Sequence, residues 1–247
     1  MAGAREYYEE IPSTQDRAIA LARDGAAEGT RVVARVQSAG RGRLDHGWSS
    51  PPGGLYLSVV LASPPDPPTL LPLALGARLA DELGHRFGRA LRVKWPNDVL
   101  ALEDPPHAPR KLAGILIDRV PSPLLGWAAV AGIGVNVAPE PDAFPPELRR
   151  EVARLSTATA PVRPGEVEEL VVAAALAAAR DLRAPERLGE LHALLARLLY
   201  GVGRRATVDG QTVGRIVGLT EDGALEVEEG GRRMAIRTGD LRVVEDR

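Results

Sequence analysis

Lys111-Leu112-Ala113-Gly114-Ile115-Leu116-Ile117-Asp118-Arg119-Val120 is the stretch on which the fold turns. A turn over Pro121–Gly126 separates it from a second apolar run, Trp127–Val137. Two such runs joined by a short Pro/Gly segment predict a pair of strands. Gly114 sits inside the first run, and Gly132-Ile133-Gly134-Val135-Asn136-Val137 closes the second. A glycine inside a strand marks the close approach of a ligand or another backbone. Lys111 stands at the mouth of the first strand, where a lysine either snorkels to solvent or holds a ligand anion as a compact point charge.

Toward the N-terminus, Leu91–Trp95 and Val99–Leu102 read as one strand interrupted by Pro96-Asn97-Asp98. Such a break aims side chains into a cleft, and Asn or Asp oxygens suit Mg²⁺ or a ribose hydroxyl; plain turn chemistry explains the same run. Thr69–Phe87 carries a helical apolar stripe, while Leu55–Leu61, Thr30–Val36 and Arg5–Ile11 read as strands. Ser13-Thr14-Gln15-Asp16 opens a helix, with Ser13 as the cap and Gly25 at the far end. Residues 37–54 form a loop too long to be kept without a use. It carries Gly40-Arg41-Gly42-Arg43 and then Trp48. Glycines allow close backbone approach and arginines supply permanently charged forks, so the loop can close over an anion. A solvated basic loop explains an isolated GRGR equally well. It is not a dinucleotide fingerprint, because Asp45 occupies the third glycine position and no helix follows.

Downstream, 103–110 is a proline-rich loop, and two Ala/Leu-rich helices cover 164–183 and 185–199. Residues 204–244 read as several short strands split by Asp209-Gly210, Glu221-Asp222-Gly223 and Glu229-Gly230-Gly231. The expected organisation is an α+β body over 1–200, then a small β-barrel of SH3-like size over 201–247.

Composition narrows the function. The chain has 247 residues and no cysteine, which excludes disulfides, thiolate zinc sites and thioester intermediates. Its 31 basic and 33 acidic side chains leave a net charge of −2, against a whole-protein nucleic-acid footprint. The four histidines, His46, His85, His107 and His192, lack metal-ligand spacing. No run reaches the length that spans a bilayer and no signal peptide is visible, so a cytoplasmic protein without a membrane partner is expected. Lys94 and Lys111 are the only lysines, and both fall in the strand motifs above.

Together these residues resemble the biotin–protein ligases (biotin–[acetyl-CoA-carboxylase] ligases). Ser13-Thr14, Gln37, Gly40–Arg43 with Trp48, Lys94-Trp95-Pro96-Asn97-Asp98, Lys111–Leu116 and Gly132–Val137 occur in the family's order, and the resemblance covers nearly the whole chain, including the C-terminal β domain. The resemblance implies a mixed β-sheet flanked by helices, related to class II aminoacyl-tRNA synthetases and of the biotin/lipoate ligase type, followed by an SH3-like barrel. It implies activation of biotin with MgATP to biotinyl-5′-AMP, then transfer to a lysine of a biotin carboxyl carrier protein, the acetyl-CoA carboxylase subunit. Carried over by position, Ser13, Thr14, Gln15, Gln37, Gly40, Arg41, Gly42, Arg43, Lys111 and Gly114 would bind biotin. Arg43, Trp48, Asn97, Lys111 and Asn136 would meet ATP. Lys111 and Arg43 would be catalytic, and Asp98 would help hold Mg²⁺.

The chemistry fits those residue types, since a carboxylate must attack an α-phosphate and two anions have to be held together. At ~3–4 Å and an effective dielectric near 20, each cation contact is worth about 4–5 kcal/mol before desolvation. His46 stands where many members carry a further arginine. The first strand begins almost at the chain start, so the expectation is a monofunctional form with no DNA-binding domain and no DNA partner. A homodimer is compatible with the resemblance, although the sequence is silent on assembly. The rivals are a lipoate–protein ligase of the same superfamily and, from another class, a non-catalytic ligand- or RNA-binding module. The latter is disfavoured by a 4% aromatic content that offers little stacking platform.

Overall fold

The computed structural model describes residues 3–44, 46–64, 70–102 and 108–244. Asp45, Thr69 and most of the expected proline-rich loop at 103–110 lie outside the described residues.

Seven strands form the main sheet: β1 (Arg5–Ile11), β2 (Arg31–Gln37), β3 (Leu55–Ala62), β4 (Leu91–Lys94), β5 (Asp98–Ala101), β6 (Arg110–Ser122) and β7 (Gly126–Val135). They run in the order β1-β2-β3-β7-β6-β5-β4. β1 and β2 pair in parallel and all other neighbours antiparallel, so the sheet is mixed. The β6–β7 hairpin lies near its centre, as its apolar sequence demands. One expectation is corrected. Leu91–Leu102 is not a single interrupted strand, because β4 and β5 fold back on each other with Lys94 opposite Asp98. Pro96 offers no N–H to continue a ladder, and the Pro-Asn pair turns the chain instead.

Alternation along β3 shows how the sheet divides its faces. Leu55, Leu57, Val59 and Leu61 enter one core, with Leu71, Leu75, Leu79 and Leu83 of α2 (Leu70–Phe87). Their spacing of four places one stripe of α2 on the sheet, and truncating a leucine there to alanine costs about 2–5 kcal/mol. α3 (Pro164–Leu182) and α4 (Leu188–Leu198) continue this layer, joined by a 3₁₀ turn at Pro185–Arg187. α1 (Thr14–Arg23) covers the other face, packing Ala18 and Ala22 against Val32, Val60 and Val130. Glu168 of α3, 6% exposed, takes a bidentate contact from Arg5 of β1 at 2.6 and 2.8 Å and a third from Arg31 of β2 at 3.0 Å. The Arg5 hydrogen bonds lead in holding the Glu168 carboxyl below its usual range.

The second sheet is antiparallel, in the order β11 (Arg232–Ile236), β10 (Leu225–Glu229), β9 (Gln211–Leu219), β8 (Arg205–Val208), β12 (Leu241–Val243). Two of its hairpins close on Asp209-Gly210 and Gly230-Gly231, all four residues at positive φ, as two-residue turns of this kind require. The two sheets share one apolar cluster in which Ala206, Ile216, Leu225 and Leu241 join the residues beneath α2. Trp95, 1% exposed, donates Nε1–H to the Gly223 carbonyl at 3.1 Å, and Tyr200 N–H bonds the Val93 carbonyl at 2.8 Å. No helix among the described residues is long and apolar enough to cross a membrane.

Candidate active site

On the α1 face, three side-chain-free positions lie in neighbouring strands. Gly134 pairs with Gly114 across β7–β6, and Gly132 pairs with Ser58 across β7–β3. Their missing side chains open a cleft of about 260 Å³ beside the N-terminus of α1 and beneath the Gly40–Trp48 loop. A Cβ at Gly134 would lie 2.3 Å from the Trp48 ring and one at Gly114 2.6 Å, so the indole rests flat on the glycine floor. The alternate-glycine signal in the strands thus marks a seat for an aromatic ring.

The inner end of the cleft is neutral and polar. Thr14 donates its N–H and its hydroxyl to Gln37 Oε1 at 2.8 and 3.0 Å, and its hydroxyl meets Ser58 Oγ at 2.9 Å. With both Thr14 donors on one amide oxygen, Gln37 Nε2 must turn away, and it donates to Ser50 Oγ at 2.9 Å. Ser50 donates in turn to the Trp48 carbonyl at 3.2 Å, so the chain of bonds runs from the sheet to the loop. Gln15 is 3% exposed; its Nε2 donates to Asp118 Oδ2 and the Val130 carbonyl, both at 3.0 Å. A Cβ at Gly132 would strike Gln15 Oε1 at 2.5 Å.

The outer end is charged. Lys111 Nζ lies 2.8 Å from Asp98 Oδ1 and 5.0 Å from the centre of the Trp48 ring. Arg43 Nη1 donates to Asn97 Oδ1 at 3.2 Å, and Asn97 Nδ2 donates to the Ile115 carbonyl at 2.8 Å. Beyond Trp48 a second compartment of about 610 Å³ opens, with Lys94, Arg110, Asn136, Arg150 and Arg242 in its walls. The compartments share Gly47, Trp48, Asp98, Lys111 and Asp240, so Lys111 stands at the junction.

Of the expected residues, Thr14, Gln15, Gln37, Arg41, Gly42, Arg43, Trp48, Asn97, Asp98, Lys111 and Gly114 line the first compartment, and Asn136 lines the second. Three placements differ from expectation. Ser13 is not in the lining; its hydroxyl caps α1 by accepting from Asp16 N–H at 3.3 Å. Gly40 also lies behind the lining, where a Cβ would meet the Trp48 carbonyl at 2.5 Å. Arg41, expected to face a ligand anion, has Nη1 2.8 Å from Asp16 Oδ1 and 3.3 Å from Asp118 Oδ2. Ser58, Gly132, Gly134 and Asp240 line the cleft without having been expected there. Asp240 arrives through the fold from the second sheet, while the alternating glycines of β7 carried a signal that stopped short of naming their partner.

The model of the biotin/lipoate A/B protein ligase family matches residues 7–136, a segment holding α1, the loop, both lysines and Asn136. A bifunctional ligase/repressor BirA of Bacillus subtilis is 30% identical over 234 residues, covering 90% of this chain and 68% of that protein. The chain belongs to the biotin/lipoate A/B protein ligase family. Within it, a biotin–[acetyl-CoA-carboxylase] ligase of Paracoccus denitrificans is 39% identical over 135 residues, covering 53% of each chain. Among solved members of the family, the biotin protein ligase of Aquifex aeolicus in complex with biotin and ATP superposes with a TM-score of 0.80 at 26% identity, covering 98% of this chain and 99% of that one. The family match ends before Gly239 and Asp240, so these two lining residues come from outside the matched segment.

Proposed function

We propose that the chain is a biotin–protein ligase that activates biotin with MgATP and passes it to a lysine of a biotin carboxyl carrier protein. The observation that carries this reading is the junction: one cationic side chain, Lys111, and one aromatic wall, Trp48, are common to a small cleft with a neutral polar end and a larger basic compartment. Biotin's urea ring needs fixed neutral donors and acceptors, which Thr14, Gln15, Gln37 and Ser58 supply, and its aliphatic chain can cross the glycine floor under Trp48. Its carboxylate then reaches Lys111, while the nucleotide takes the second compartment against Asn136.

A carboxylate oxygen attacks the α-phosphorus, the bond to the β-phosphate breaks, and pyrophosphate leaves. Lys111 exchanges Asp98 for the two substrate anions and screens their repulsion. In the second step the carrier lysine amine attacks the acyl carbon, loses a proton, and expels AMP. Among the described residues no group of three or more His, Asp or Glu could hold a metal ion. Mg²⁺ would arrive with the nucleotide phosphates and neutralise part of their charge, and Asp98 is the residue here that would help hold it.

A lipoate ligase is the second reading within the family. Lipoate's dithiolane has no hydrogen-bonding group and would leave the buried Gln15 Oε1 without a partner, a mismatch that costs a site far more than a missing methylene. The reading also takes 1–200 as the catalytic unit, related to class II aminoacyl-tRNA synthetases, and 201–247 as an SH3-like barrel. It further includes a cytoplasmic location, a homodimer and no DNA partner; sedimentation and a DNA titration check the last two. The direct test is biotin-dependent release of pyrophosphate from ATP, followed by a one-biotin mass increase on a carrier domain. Pyrophosphate release driven by lipoate and not by biotin would overturn it.

A further inference from the structure

Asp118 lies on β6 outside the lining of the cleft, opposite Val130 of β7. One of its oxygens, Oδ2, serves two elements: it accepts from Gln15 Nε2 at 3.0 Å and lies 3.3 Å from Arg41 Nη1. The same guanidinium nitrogen donates to Asp16 Oδ1, in the first turn of α1, at 2.8 Å. With its N–H groups committed to Asp118 and to the Val130 carbonyl, the Gln15 amide has one orientation, and its buried Oε1 has no hydrogen-bond partner among the described residues. Three elements, α1, β6 and the glycine–arginine loop, therefore meet on two carboxylates and one guanidinium.

We propose that Asp118 is a positioning residue that latches the glycine–arginine loop through Arg41 and, with the same carboxylate, orients Gln15 at the polar end of the cleft. Arg41 is then not a ligand cation. One guanidinium facing two carboxylates has no positive charge left for a substrate anion, which leaves Arg43 and Lys111 for that work. The exposures suit a latch that must release: the Arg41, Asp16 and Asp118 side chains are 40%, 63% and 30% exposed. Half-exposed ion pairs are weak and screened by salt. The consequence for catalysis rests on the ligase reading; the latch itself does not.

The first test uses the ligand-free chain. Limited trypsin cleavage after Arg43 should accelerate about threefold in Asp118→Asn at low salt, with the difference shrinking as salt rises. Arg41→Gln and Asp16→Asn should act in the same direction, and the Asp118→Asn/Arg41→Gln pair should cleave no faster than Arg41→Gln alone. Asp118→Glu should recover slow cleavage. Unchanged cleavage in Asp118→Asn with an unaltered melting curve, or fully additive effects in the pair, overturns the latch. In the second test, escape of biotinyl-AMP should quicken about three- to tenfold in Asp118→Asn while the adenylation rate at saturation changes less. If Arg41→Gln instead lowers the saturated rate a hundredfold and Asp118→Asn is silent, Arg41 is a ligand contact and the proposal fails. A wild-type chain that makes no biotinyl-AMP defeats the ligase reading and leaves the cleavage result standing.

Discussion

The two ends of the cleft are built on opposite principles. At the inner end, Thr14 and Gln15 are 3% exposed and Ser58 is fully buried, and a run of hydrogen bonds through Gln37 and Ser50 allows one amide orientation. At the outer end, Lys111 and Asp98 form an ion pair whose side chains are 34% and 15% exposed. A neutral ligand group can be selected only by donors and acceptors whose directions are already set, since a misfit leaves buried polar atoms unpaired. A group whose charge changes during reaction needs partners that can be exchanged at small cost. Under the proposed function, discrimination and chemistry fall at separate ends, with Trp48 between them.

Five substitutions sharpen or break this contrast, beginning with the largest effect. Lys111→Ala should lower biotinyl-AMP formation by about a thousandfold or more while shifting the melting temperature little, because the proposed function gives this partly exposed ammonium a role in chemistry and not in packing. Lys111→Arg should also fail to restore the rate, since a planar fork does not replace a compact charge between carboxylate and phosphate. Normal pyrophosphate release from either variant would remove the outer end from the mechanism. Gly134→Ala should weaken biotin binding by about ten- to a hundredfold, because a methyl 2.3 Å from the Trp48 ring must unseat it. Equilibrium binding with unchanged affinity would show that the floor tolerates a side chain.

Thr14→Val removes the hydroxyl shared by Gln37 and Ser58, an expected cost of about 1–3 kcal/mol in stability and about tenfold in biotin affinity. A fall in stability without a fall in affinity would make the inner end a packing feature. The smallest functional effect belongs to Glu168→Gln, far from the cleft, which should leave adenylation unchanged and cost about 1–3 kcal/mol at neutral pH. The Glu168 carboxyl is lowered in the folded chain, so its contribution is present above the unfolded carboxylate range and is lost as the pH falls through the lowered value. Melting curves of the two proteins should therefore converge in acid. A difference that grows in acid would reverse the assignment.

Much of this contrast was legible in the residues. Lys111, the GRGR loop and the alternating glycines of β7 announce themselves because strands rarely carry such residues, and domains rarely keep so long a loop, without cause. The hairpin turns at Asp209-Gly210 and Gly230-Gly231 were equally plain, since positive φ selects those types. What escaped was tertiary. Nothing local says that Asp240 reaches the cleft, that Ser58 sits beneath Thr14, or that Arg41 turns to Asp16 and Asp118. Pro96-Asn97 reads as a break in one strand because a turn signal marks that the chain bends, not how far.

The central claim, a site that selects a cyclic urea at a neutral end and activates its carboxylate at Lys111, is tested most directly by calorimetric titration of the full chain. Biotin and lipoate would each be added, and MgATP would follow. The account predicts stoichiometric heat with biotin, further heat on adding MgATP, and no saturable binding of lipoate. Saturable lipoate binding without biotin binding would contradict it.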